Sequence, residues 1–165
     1  MTIRIVTDSA CDLPQYLIDQ HKISIVPLSV RFGEHEFIDR QDLTTEQFWT
    51  RCDSSPVLPE TAAPSPGQFE AEFRKLAAEG ATGIVMVALS GVLSATMQSA
   101  ELAAKAVAGH ISVRVVDSRS GSMGQGGFHP RFLVLLRAGP VDEIGNQGHL
   151  LQPANYDGLQ AKPHQ

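Results

Sequence analysis

The side chains in this sequence that could do chemistry are mostly hydroxyls, and they sit where short apolar runs end. Thr7 and Ser9 follow Ile3-Arg4-Ile5-Val6, Ser90 and Ser94 follow an unbroken apolar stretch, and Ser118 and Ser120 follow Val113-Arg114-Val115-Val116. Ser94 also precedes an alanine-rich, helix-forming segment. A helix start leaves about four backbone N–H groups unpaired, and its dipole favours anions. A serine there adds a hydroxyl donor, so Ser94 and the N–H groups after it could hold a carboxylate. Thr61 is a second candidate, in a loop framed by Pro56, Pro59, Pro64 and Pro66. Simpler roles stay open: Ser94 as a helix cap, Thr61 as a turn former, Asp117-Ser118 as a turn. The residues alone lead to a neutral, donor-rich anion site and no further.

Other chemistries lack their parts. A serine nucleophile needs a histidine base and a third group to orient it, and no GxSxG elbow surrounds Ser94. Asp8 and Asp12 lie in a capping region, where aspartate is common for structural reasons. No phosphate loop, HExxH or GxGxxG occurs, and the glycine-rich residues 121–126 lack the lysine of a phosphate loop. Cys11 and Cys52 form no CxxC and no metal set, so no metal or cofactor is expected; they suit small buried positions in a reduced, cytoplasmic setting. The net charge of −5, without a basic run, argues against a nucleic-acid surface. No apolar stretch approaches the roughly 20 residues of a membrane span, and the N-terminus lacks a signal-peptide pattern.

The elements that must carry these hydroxyls alternate between strand and helix. Residues 3–6 read as a buried strand, and Asp12 before Leu13-Pro14 as the N-cap of a helix through His21. Residues 23–30 read as one β-branched strand continuing into a glycine-turn hairpin over 31–37. Thr44 with Gln47 has the spacing of a capping box before Phe48 and Trp49. Residues 53–66 read as a loop, followed by a helix from near Gly67 with Phe69, Phe73 and Leu76 at helical spacing. Residues 84–89 have almost no polar break, as in a strand covered on both faces of a parallel sheet. The expected fold is α/β, a parallel sheet with helices on both faces, whose ligands collect beyond the carboxyl ends of the strands. After residue 126 the text becomes rich in Gly and Pro and loses periodicity, so a first domain over 1–126 and an irregular, poorly packed tail over 127–165 are expected.

Four segments in order resemble the DegV family. Thr7-Asp8-Ser9-Ala10-Cys11-Asp12-Leu13-Pro14 is similar to its TDS-x-x-DLP opening, and Thr61-Ala62-Ala63-Pro64-Ser65-Pro66-Gly67-Gln68-Phe69 to its TSQPSPGxF loop. Leu89-Ser90-Gly91-Val92-Leu93-Ser94-Ala95-Thr96 resembles the ISSGLSGT segment, and Val116-Asp117-Ser118-Arg119-Ser120 the strand end IDS-(K/R)-S. The resemblance implies a cytoplasmic, non-enzymatic carrier of a long-chain fatty acid, in some bacteria the subunit that presents the acid to a fatty-acid kinase. By motif, Thr61 and Ser94 hold the carboxylate, with Ser9, Ser90, Thr96 and Ser118 in support. Burying the alkyl chain at about 0.8 kcal/mol per CH₂ would supply most of the affinity.

The sequence departs from the family pattern in places. Ala62-Ala63 replaces Ser-Gln, Gly91 replaces a serine, and Ala95 replaces the LSGT glycine. The family carries a second α/β domain that closes over the acyl chain, whereas the match here fades near residue 126. A frameshift or premature stop is the expected reason, with a true short variant as the alternative. A half-cavity implies weak lipid affinity, self-association or poor solubility. Two rival functions remain: an interaction module with vestigial lipid binding, and a hydrolase or transferase using Ser94 or Ser9.

Overall fold

The structure, a computed structural model, describes residues 2–126, so the expected irregular tail at 127–165 lies outside the described residues. The chain runs β1 (Ile3–Asp8), a 3₁₀ turn (Ser9–Cys11), α1 (Gln15–His21), β2 (Ser24–Val26), β3 (Ser29–Phe32), β4 (His35–Ile38) and α2 (Thr45–Ser54). It continues through β5 (Glu60–Ala62), α3 (Pro66–Ala78), β6 (Gly83–Ala88), α4 (Thr96–Val107), β7 (Val113–Asp117) and α5 (Ser122–Gly126). Four strands form a parallel sheet in the order β2-β1-β6-β7.

The apolar run of β6 is buried at every residue because both faces of the sheet are covered. On one face Val6, Ile84, Met86 and Ala88 meet Phe69, Phe73 and Leu76 of α3 and Ala100, Ala103 and Val107 of α4. On the other, Ile5, Val85 and Val87 meet Cys11, Leu13, Ile18 of α1, and Ile23. Alternate residues of one strand thus serve opposite cores, as a period of two requires. Each fully buried Phe or Leu of α3 contributes about 1.5–3 kcal/mol. The α/β expectation, helices on both faces included, holds.

A second sheet departs from the expectation. Residues 23–30 do not form one strand: Pro27 has no N–H to give a ladder, and the chain breaks there. β2 stays in the parallel sheet, while β3 leaves to pair antiparallel with β4 and β5 in the order β4-β3-β5. The expected hairpin is β3–β4, turning at Gly33 with φ of 61°. Residues 60–62, expected in a loop, form β5 against β3. Helix α2 covers this small sheet, packing Phe48 and Cys52 near Val30, Phe32, Leu43 and Phe37.

The caps divide likewise. Both Thr44 of α2 and Ser65 of α3 make capping boxes, with Gln47 and Gln68 as their partners. Asp12 does not cap α1: it takes a left-handed φ of 49° after the 3₁₀ turn, and Pro14 occupies the N-cap position without a side-chain bond.

Candidate functional site

Parallel strands place all their carboxyl ends at one rim. α3 feeds β6 and α4 leaves it, and the two helices pack side by side on the same face. Both helices therefore begin at that rim, which brings the segment before Ser65 and the segment before Thr96 to the same end of the sheet. The strand order reverses between β1 and β6, the position where such sheets open a crevice.

Ser94 lies in the β6–α4 loop and is half-buried. Its Oγ accepts from Thr96 N–H at 3.2 Å and lies 2.9 Å from Thr96 Oγ1. Either hydroxyl can donate in this contact; in the arrangement where Thr96 donates, both lone pairs of Ser94 Oγ are filled and its own hydrogen is left to give to a ligand. That suits an anion. Thr96 is fully buried, so its hydroxyl is fixed behind Ser94. Beside them Val92 and Leu93 are 93% and 72% exposed, an apolar pair next to a hydroxyl.

Thr61 lies on β5, directly opposite Val30 and exposed. Opposed residues of an antiparallel pair share a face, so Thr61 stands on the side of the small sheet that bears Val30 and Phe37. Arg31 and Glu60, the adjacent opposed pair, form an exposed ion pair between these strands. No hydrogen bond joins Thr61 to Ser94 among the described residues.

The remaining expected hydroxyl residues are buried in the fold. Ser9 is 1% exposed and its Oγ accepts from Leu28 N–H at 3.1 Å. Ser118 is 2% exposed; its Oγ donates to the Ser120 carbonyl at 2.9 Å and accepts Ser120 N–H at 3.2 Å. Ser90 contributes its backbone: N–H donates to the Ser120 carbonyl, and its carbonyl accepts from Leu93 and Ser94 N–H. These residues shape the rim, and Ser94 and Thr61 are the two whose side chains are not buried in it.

Two carboxylates and one amide that the sequence does not mark as site residues hold the rim together. Asp8 Oδ1 caps the 3₁₀ turn through Ala10 N–H at 3.1 Å, and Oδ2 accepts Leu89 N–H at 2.7 Å from the end of β6. Gln125 of α5 is fully buried, and its Nε2 donates toward Thr7 Oγ1 at 3.0 Å, Asp8 Oδ2 at 3.0 Å and the Val87 carbonyl at 3.3 Å. Asp117 Oδ1 accepts Gly91 N–H at 3.2 Å. Burial pushes the Asp8 carboxyl above its ordinary value, against the pull of its N–H donors. Burial likewise raises the Cys11 thiol. The partners of Asp8 lie 81 and 117 residues away, a separation no local pattern signals.

A groove of about 850 Å³ runs along the outer edge of β7 and the end of α4, lined by Thr82, Lys105, His110, Ser112 and Arg114 among others. These residues belong to the amino-terminal rim, opposite the hydroxyls. Among the described residues no cluster of His, Cys, Asp or Glu could hold a metal ion, and no helix is long and apolar enough to cross a membrane.

A family model for uncharacterised proteins of the DegV family matches residues 2–140, past residue 126 where the motifs fade. A DegV domain-containing protein of Staphylococcus aureus is 32% identical over 140 residues, covering 84% of this chain and 48% of that protein. One from Clostridium acetobutylicum is 32% identical over 162 residues, 97% of this chain and 51% of its own length. The chain thus spans about half the length of the curated relatives it matches. Among solved structures, one described as the fatty acid binding of a DegV family protein from Thermus thermophilus superposes with a TM-score of 0.79 at 34% identity, covering 92% of this chain and 53% of that one. A stearic acid-binding protein from Eubacterium ventriosum gives 0.78 at 30% identity, with 87% and 50% covered. The fatty acid binding protein DegV of Bacillus subtilis gives 0.82 at 28%, with 92% and 54% covered.

Proposed function

The chain belongs to the DegV family, and from that premise we propose that it binds a long-chain fatty acid at the carboxyl rim of its parallel sheet. The observation that carries this reading is Ser94: a half-buried hydroxyl just before α4 that accepts Thr96 N–H and lies 2.9 Å from the Thr96 hydroxyl, beside exposed Val92 and Leu93. Such a site offers a donor to a carboxylate and apolar surface to the first methylenes. The relatives described as binding fatty acids or stearic acid support the ligand class. Thr61 is the second carboxylate donor of the proposal, supported by the common rim at which α3 and α4 begin.

The chain acts as a carrier in this reading, and a fatty-acid kinase subunit is the partner that would take the bound acid. Neutral hydroxyls favour such a hand-over because they hold the carboxylate without a tight cationic clamp. Ser94 and Ser9 bond Thr96 and Leu28 N–H, and neither bonds a histidine among the described residues, so activation of a serine nucleophile has no support. Neither Cys11 nor Cys52 is in a disulfide, which fits a cytoplasmic setting.

Titration of stearate into the chain and its S94A and T61A variants tests the proposal. A hydrogen bond to a charged group contributes about 1.5–3 kcal/mol, so S94A should weaken binding by about 10- to 150-fold. Unchanged affinity in both variants refutes the site. A protein-interaction role is the second reading, favoured by Leu58 at 88% exposure and Trp49 at 61%. Capture of the kinase subunit by chain stripped of fatty acid would support it.

A further inference from the structure

We propose that Asp8 and Gln125 are positioning residues for the carboxylate-binding loop, forming a buried latch that fixes residues 89–94 and ties α5 to them. This rests on Ser94 being the carboxylate donor. The loop leaves β6 with its first three N–H groups committed from outside: Leu89 to Asp8 Oδ2, Ser90 to the Ser120 carbonyl, and Gly91 to Asp117 Oδ1. Of these, the Leu89 bond is the shortest at 2.7 Å and comes from a carboxylate that is fully buried. Moving Asp8 would move the point from which Ser90 and Ser94 are hung.

Asp8 in turn is held by Gln125. Three acceptors face the Gln125 amide nitrogen, namely Thr7 Oγ1, Asp8 Oδ2 and the Val87 carbonyl, and they define which way the amide points. Thr7 spends its own hydrogen on the Val87 carbonyl at 2.8 Å, so it can only accept from Gln125. The other end, Oε1, is buried without a hydrogen-bond partner among the described residues. A buried acceptor left unpaired is unfavourable, so what holds Gln125 there is the pair of amide hydrogens shared among these three acceptors. α5 is the last described element, and Gln125 ties it to the ligand loop through Asp8.

The groups facing Asp8 are Ala10 N–H and the Cys11 thiol from its own turn, Leu89 N–H from the loop, Gln125 from α5 and, beside it on β1, Thr7. Asp12 and Arg40 bear on Cys11. Asp8 has no cationic partner among the described ion pairs. The carboxylate is thus neutralised by donors alone, and removing the Gln125 donor leaves it dependent on N–H groups.

The variant Q125E separates this latch from general packing. With both carboxylates ionised, Q125E would set like charges face to face and open the latch; lowering the pH places one shared proton between them and restores an O–H donor to Asp8. Hydrogen exchange at Leu89 and Gly91, read as protection relative to wild type at each pH, should fall by about tenfold at the alkaline end of a pH series and recover toward its acid end. Stearate affinity, expressed as the ratio to wild type at each pH, should follow. Q125M, which removes the donor without adding charge, should lower protection equally across the series, and thermal melts of each variant report whether the fold is intact. Protection of Leu89 equal to wild type across the whole pH series in a folded Q125E overturns the latch, as does a loss that acid does not reverse. Exchange results as expected, with stearate bound by neither wild type nor variant, would keep the latch as a structural device. They would reject it as a positioning device for that ligand.

Discussion

Replacing Thr96 with valine removes one oxygen from a fully buried position and keeps the β-branched shape at the start of α4. The lost interaction is the 2.9 Å contact that orients Ser94 Oγ. Thr96 N–H still donates to Ser94 at 3.2 Å, so the loop retains one of its two local ties. A net hydrogen bond is worth about 1 kcal/mol, and tenfold in affinity corresponds to about 1.4 kcal/mol. T96V should therefore raise the fatty-acid Kd by about fivefold, because Ser94 Oγ loses the hydroxyl contact that orients it. The effect on stability should stay below about 1 kcal/mol, since half-buried Ser94 can recover a water in place of the lost partner. Calorimetric titration on wild type, T96V, S94A and the double variant closes a thermodynamic cycle. Thr96 acts only through Ser94, so T96V should cost nothing further once Ser94 is alanine. An equal penalty in both backgrounds, or none in either, refutes the hydroxyl relay.

Two further outcomes follow from burial. Phe73 is fully buried between α3 and the sheet, with its ring 6.0 Å from that of Phe69, so F73A should lose about 3–5 kcal/mol in urea unfolding. A loss under about 1 kcal/mol would mean that this face of the sheet is not the core described. The second concerns Asp8, whose folded pKa is raised above 3.8. The folded state then binds its proton at a pH where the unfolded chain does not. The stability Asp8 contributes is complete below the unfolded value and is lost as pH rises through the folded one. The wild type should accordingly gain stability relative to D8N as pH falls from neutral toward the ordinary carboxyl range. Urea midpoints of the pair that run parallel with pH, or a wild-type midpoint that drops relative to D8N as the pH is lowered, would contradict the buried setting of this group.

Much of the architecture is carried by local chemistry. The capping boxes at Thr44 and Ser65 need only partners three residues on, and the apolar run of β6 states that both faces must be covered. The hydroxyls after β1, β6 and β7 mark the carboxyl rim for the same reason, since strand ends and helix starts have short-range signatures. Four motifs in order suffice to identify the family.

Tertiary structure decided what each rim group does. Ser9 and Ser118 look equivalent to Ser94 in sequence, yet both are buried, Ser9 Oγ accepting Leu28 N–H and Ser118 Oγ bonding the Ser120 backbone. Residues 60–62 became a strand because β3 left an edge to be paired, a demand that the loop's own residues do not express. Asp8 reads as a turn former by type, and only the arrival of Leu89 and Gln125 from distant parts of the chain makes it the centre of a buried network. Hydroxyl type and spacing follow from the amino-acid order; which hydroxyls are buried in the rim and which stay open to a ligand is settled by packing from distant parts of the chain that no local pattern contains.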